Sequence, residues 1–95
     1  MLLAALADGP AHGYLVIKRL RERSGGVLDY PEGSVYPAFH RMEDAGLIVA
    51  SQAVASGRPR KIYHLTRKGR AALGTEAEGW RRFASGVESV LEGLA

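Results

Sequence analysis

Residues 47–66 read LIVASQAVASGRPRKIYHLT. Two stretches rich in Val, Ile and Tyr, Leu47 to Val54 and Arg60 to Leu65, flank Ala55-Ser56-Gly57-Arg58-Pro59. β-formers on either side of a Gly- and Pro-containing break predict a β-hairpin with a charged tip, which Pro59 stiffens. Between Asp44 and Glu76 the chain carries six positive charges (Arg58, Arg60, Lys61, Arg67, Lys68, Arg70) and no acidic residue. The hairpin is therefore a basic ribbon. A duplex phosphate backbone fits such a surface, because lysine and arginine displace condensed counterions and gain affinity without reading sequence. A short helix directly precedes the ribbon, so a reading element would sit beside an anchoring one.

Outward from the hairpin, the preceding helix is expected to start close to Ser34 as its N-cap, since Pro37 lacks an amide proton and is tolerated only near the first turn. Val35, Phe39 and Met42 recur at i, i+4, i+7 and should face the core, leaving Tyr36, Pro37, His40, Arg41 and Asp44 outward. Ala45-Gly46-Leu47 has the pattern of a Schellman-type stop. Upstream, Met1 to Ala7 reads as an apolar helical stub, short at its front and ended by Asp8-Gly9-Pro10, where Asp8 offers a capping carboxylate. A second helix from Ala11 to Ser24 buries Val16, Ile17 and Leu20, turns Tyr14, Lys18 and Arg21 to another face, and ends at Gly25-Gly26. Downstream, Thr66 can cap a long last helix. In it Leu73, Ala77, Trp80, Ala84, Val87, Leu91 and Leu94 alternate spacings of four and three, a seam that asks for another helix. Gly74, Gly79, Gly86 and Gly93 each weaken that helix by up to about 1 kcal/mol relative to alanine, so its order depends on the partner.

With 95 residues the chain is long enough for one domain with a modest core. Residues 1–70 hold eleven basic and six acidic side chains, whereas residues 71–95 hold two and four. The front meets an anion and the tail has another role. The absence of cysteine agrees with a reducing compartment, and no apolar run approaches the roughly 20 residues that span a bilayer, so a cytoplasmic location is expected. His12, His40 and His64 are scattered without metal-ligand spacing, and no nucleophile triad, phosphate-cradling loop or paired carboxylate stands out. The expectation is no metal, no cofactor and no enzyme activity.

Three helices, a two-stranded hairpin and a last helix form the order of a winged helix domain. The sequence details go further. Gly9-Pro10-Ala11-His12-Gly13-Tyr14, Glu32-Gly33-Ser34-Val35-Tyr36-Pro37-Ala38-Phe39, Glu43-Asp44-Ala45-Gly46-Leu47-Ile48, and Gly57 to Thr66 followed by Gly69 together resemble the PadR family of bacterial transcriptional regulators, over essentially the whole chain. The C-terminal part amounts to one helix, as in the short subclass. The resemblance implies a mainly α fold with a small hairpin: a winged helix-turn-helix over residues 1–66 and a C-terminal dimerisation helix over 67–95. It further implies a homodimeric repressor whose third helix enters the major groove while the wings contact the adjacent backbone or minor groove of double-stranded DNA.

Carried onto this chain, the resemblance places Ser34, Tyr36 and Pro37 at the groove and Tyr14 near the phosphates, with Lys18 on the same face of its helix. For Tyr14 a half-buried aromatic closing the helix pair fits equally well. His40 and Arg41 have base-edge or phosphate reach, and Arg58, Arg60 and Lys61 are the wing's phosphate contacts. As plain solvated charges these three would discourage strand-edge aggregation. Trp80 sits mid-seam and reads first as a dimer-core knob. Some short members of the family carry a tryptophan at the matching place, paired across the dimer axis around flat aromatic ligands, and Phe83 and Val87 would extend such an effector wall. The alternative function is a winged-helix module that binds protein without sequence-specific DNA contact, its C-terminal seam paired with a non-identical helix.

Overall fold

The computed structural model describes residues 1–55 and 57–94. The elements are α1 (Leu2–Leu6), α2 (Gly13–Arg23), α3 (Glu32–Asp44), β1 (Ile48–Ala55), β2 (Arg58–Leu65) and α4 (Arg67–Glu92). The fold is the expected one: a mainly helical chain with one antiparallel hairpin and a long final helix. The core is small. Leu3 and Leu6 of α1, Val16, Ile17 and Leu20 of α2, Val35 and Phe39 of α3, Ile48 of β1 and Tyr63 of β2 are buried together.

Several boundaries differ from the sequence reading, each for a physical reason. Helix α3 begins at Glu32, with Pro31 as its N-cap, and not at Ser34. Pro31 has φ −72° and ψ 148°, so its fixed ring ends the extended approach and sets up the first turn. The amide and hydroxyl of Ser34 then donate to the Pro31 carbonyl at 3.1 and 2.9 Å. Pro37 accordingly lies inside the helix, where it denies a donor to the Gly33 carbonyl; Gly33 is exposed, so water can serve that carbonyl. Helix α2 begins at Gly13 because Ala11 is held extended by Tyr63, with Ala11 N–H to Tyr63 O at 3.2 Å and Tyr63 N–H to Ala11 O at 2.9 Å. Its cap is His12, whose Nδ1 accepts from the Leu15 amide at 3.2 Å. Asp8, the expected capping carboxylate, instead forms an exposed ion pair with Arg23.

The strands run closer to the tip than the sequence suggests. Ala55 pairs with Arg58 and Val54 with Pro59, leaving a connection of Ser56, which lies outside the described residues, and Gly57 at φ 75°. A proline fits the ladder here because the amide and carbonyl of Tyr63 face Ala11, away from β1. By the period of two, the missing N–H of Pro59 falls on the same free edge.

The two predicted stops and caps around the wing form as expected. Leu47 N–H reaches Met42 O at 2.9 Å and Gly46 N–H reaches Glu43 O at 2.9 Å, with Gly46 at φ 77°, which is the Schellman arrangement. Thr66 caps α4: its hydroxyl oxygen accepts from the Gly69 amide at 3.0 Å and donates to the Gly46 carbonyl at 2.6 Å. The start of α4 is thereby fastened to the end of α3. Beyond Leu73 the helix leaves the core, and the radius of gyration of 15.6 Å exceeds the roughly 12 Å of a compact chain of this length.

Gly69 is buried at this junction, and a Cβ there would collide with the backbone carbonyl of Leu47, whereas a Cβ on Gly74 would meet nothing. Gly69→Ala should therefore lower the thermal midpoint, since overpacking against backbone costs about 1 to 3 kcal/mol, or roughly 4 to 20 °C in a domain this size. Gly74→Ala should raise it, by up to about 1 kcal/mol of helix propensity. Melting curves of the two variants check the pair, and the reverse order would remove the Gly69–Leu47 contact as a constraint.

Candidate nucleic-acid interface

Helix α3 is oriented by Val35 and Phe39, both essentially without exposure, so Tyr36, Pro37, His40, Arg41 and Asp44 face outward as expected. Tyr36 is only partly free. Its ring lies against the backbone of Gly13, where any Cβ would stand 2.7 to 2.8 Å from the ring and hydroxyl atoms. Its edge meets Phe39 at 6.3 Å between centroids, and Phe39 in turn packs against Tyr63 at 4.4 Å. The body of Tyr36 is thus fixed while 39% of the residue remains exposed. The glycine of His12-Gly13-Tyr14 has a steric explanation: a Cβ at position 13 would collide with the Tyr36 ring where it approaches α2.

Between α3 and the wing lies a groove of about 380 Å³ lined by His12, Gly13, Tyr36, His40, Pro59, Arg60, Lys61 and Tyr63. The structure therefore gathers Tyr36, His40, Arg60 and Lys61 at one place. Ser34, Pro37 and Arg41 lie on the exposed side of α3 outside this groove, and Arg58 stands exposed near the hairpin tip. Tyr14 and Lys18 are exposed on α2 around a separate groove with Ile17, Arg21 and Glu22. Arg21, grouped with them from spacing, is held by Asp29 at 3.0 Å.

Strand alternation divides the wing cations. Pro59, Lys61, Tyr63 and Leu65 share one face of β2, the face that buries Tyr63, while Arg58, Arg60, Ile62 and His64 share the other. On the second face Ser51 and His64 form a hydrogen bond of 2.9 Å across the strands. On the first, Lys61 Nζ stands 3.6 Å from Glu43 Oε1 of α3 and 5.8 Å from the centroid of the Tyr63 ring. The phenol of Tyr63 is pushed above its usual value, first by burial, then by the Glu43 carboxylate and by Tyr36.

Two residues carry structural work that the sequence reading did not assign. Arg19 Nη1 donates to the Ala5 carbonyl at 3.0 Å and to the Gly9 carbonyl at 2.8 Å, tying the end of α1 and its turn to α2. The available signal was an arginine three residues from Val16, on the buried side of the helix. His12, passed over as a scattered histidine, caps α2 at the edge of the groove and is held below its ordinary pKa by burial, then by Arg60 and Arg19.

On α4 the predicted seam is present and open. Leu73, Ala77 and Ala84 are half-buried, whereas Trp80 is 59% exposed, Phe83 62%, and Val87, Leu91 and Leu94 are exposed as well. The rings of Trp80 and Phe83 lie 5.7 Å apart at 38°, and Phe83, Gly86, Val87, Val90 and Leu91 line a shallow apolar groove with Arg82. Among the described residues no helix is long and apolar enough to cross a membrane, and no His, Cys, Asp and Glu cluster could hold a metal ion.

Comparison with known proteins decides the family. A model of the transcriptional regulator PadR-like family matches residues 2–75. The chain belongs to the PadR-like family of transcriptional regulators. Over 72 residues this PadR-like chain is 39% identical to the transcriptional regulator Rv3488 of Mycobacterium tuberculosis, a match covering 76% of the chain and 64% of that protein, less than two thirds of its length. Among solved structures, a PadR family transcription regulator from Clostridium difficile R20291 is similar at 30% identity and TM-score 0.83, covering 95% of this chain and 93% of that one. A protein of Streptococcus mutans UA159 reaches TM-score 0.84 at 25% identity, with 97% and 83% covered. The family and its solved relatives are transcriptional regulators and not enzymes.

The His12 cap predicts a pH dependence. Its folded-state pKa is below 6.5, so between that value and 6.5 the unfolded chain binds the extra proton. The contribution is whole above the unfolded pKa and is lost as pH falls through the folded one. His12→Asn keeps a capping acceptor but cannot titrate. Urea unfolding across a pH series should show stability declining less steeply below about pH 6.5 in the variant than in the wild type, and equal slopes would remove His12 from the linkage.

Proposed function

We propose that this PadR-like regulator is a homodimeric, DNA-binding repressor released from its operator by a small planar aromatic effector, acting in the cytoplasm. One observation carries the DNA reading: a hairpin rich in arginine is held by Tyr63 beside the exposed face of α3, so a reading helix and an anchoring ribbon have a fixed relation. Tyr36, Pro37, His40 and Arg41, with Ser34 at the helix start, face the major groove. Arg58 and Arg60 meet phosphates beside it, and Tyr14 and Lys18 touch the backbone from α2. Dimerisation is supported by the open seam from Leu73 to Leu94, which leaves large apolar side chains in water unless a second helix covers them. The Trp80, Phe83 and Val87 wall lies on this seam. An effector between two such walls would change the separation or tilt of the reading helices, so that they no longer match successive major grooves about 34 Å apart.

The double change Arg58→Ala and Arg60→Ala should weaken binding to all duplexes alike, and each lost contact should lower the slope of log K against log salt by about 0.9 per subunit. Arg41→Ala, by contrast, should alter preference among sequences. Fluorescence anisotropy titrations at several salt concentrations measure both effects, and an unchanged slope would remove the wing from the interface.

Leu91→Glu places two like charges in the proposed dimer seam. It should give a monomer by sedimentation, abolish tight operator binding, and also abolish the quenching of Trp80 fluorescence by planar aromatic compounds, because one helix alone supplies only half of the wall. A variant that stays dimeric would overturn the seam assignment; quenching that survives in a monomer would overturn the shared effector site.

A further inference from the structure

We propose that Glu43 withholds Lys61 from phosphate, so that this lysine fixes the wing against α3 and Glu43 acts as a positioning residue that limits binding to non-operator DNA. The inference rests on the DNA-binding reading above and divides the wing's cations more finely. Lys61 Nζ is 3.6 Å from Glu43 Oε1 and over the ring of Tyr63, on the face of β2 that packs toward α3. Glu43 Oε1 has no accessible surface and no hydrogen-bond partner among the described residues, so the nearby ammonium is what compensates its charge. Drawing Lys61 away to a phosphate would leave this shielded oxygen without a partner, while the rest of the Glu43 side chain, 26% exposed, stays hydrated, so the restraint is that of a partly exposed pair with one unsatisfied acceptor. Arg58 and Arg60 carry no such restraint: among the described residues neither forms an ion pair. The hairpin therefore presents three cations in sequence but two to the duplex. The third is spent on holding its root against the helix whose side chains face the groove, a restraint that favours the one geometry an operator fits over the many that a phosphate ribbon would accept.

The test uses the full chain and a scrambled duplex of three helical turns. Lys61→Met should leave the salt slope of the wild type unchanged. Glu43→Gln, nearly isosteric, frees the lysine and should steepen the slope by about 0.9 per subunit. For a dimer this means a roughly 12-fold larger loss of affinity between 50 and 200 mM salt. The double variant Glu43→Gln with Lys61→Met should return to the wild-type slope, an outcome that a purely structural role for Glu43 would not produce. A Glu43→Gln variant with the wild-type slope, or a Lys61→Met variant that lowers it, overturns the assignment of Glu43 while leaving the DNA-binding reading standing. Wild-type protein that binds no duplex at any salt concentration overturns the DNA-binding reading, and this inference with it.

Discussion

The molecule is organised around Tyr63. The residue is 2% exposed, its ring packs on Phe39 of α3, and both of its backbone polar groups pair with Ala11 at the entry to α2. One residue thus joins the wing root, the third helix and the turn between the first two. A two-stranded hairpin alone is marginal in water, so its direction comes from what its root is fastened to. Because Tyr63 fastens it to the same aromatic, Phe39, that Tyr36 leans against, the outward face of α3 and the basic ribbon keep one relation to each other.

The long helix follows a different logic. Its start is secured by Thr66, by the Gly46 carbonyl and by the close approach of Gly69 to Leu47, all at the junction with α3. From there it runs into solvent with Trp80, Phe83, Leu91 and Leu94 uncovered. A helix with glycines at 74, 79 and 86 has reduced intrinsic stability, and one that also exposes its apolar stripe gains little from folding alone. Attachment at one end and an open seam along the rest fit the pairing proposed above, in which a change at the seam reaches α3. The charge distribution agrees: basic side chains dominate the part that holds the groove, and acidic ones outnumber basic ones in the tail.

Element type and order were legible in the sequence because the signals are local. The β-formers around Gly57, the Gly46-Leu47 stop, the Thr66 cap and the stripes of α2, α3 and α4 depend on spacings of a few residues, and the structure contains each of them. The candidate groove residues on α3 were legible for the same reason, as positions off a buried stripe. Boundaries failed where Pro31 set the first turn of α3 ahead of Ser34, and where a distant partner overrode local preference. Ala11 looked helical but is extended because Tyr63 takes its hydrogen bonds, and Asp8 looked like a cap but lies within reach of Arg23.

By itself, then, the chain determined the order of elements, the basic ribbon beside a helix, and an apolar seam along the last helix, all of which follow from periodicity and composition. Only the tertiary structure decided that Lys61 parts from Arg58 and Arg60, that Tyr36 is braced by Gly13 and that Arg19 closes the first turn. The reason is common to all three. Each depends on a contact between segments far apart in sequence or on which side of an element faces the core. Such contacts are set by packing three helices and a hairpin around Phe39 and Tyr63, which no local spacing encodes.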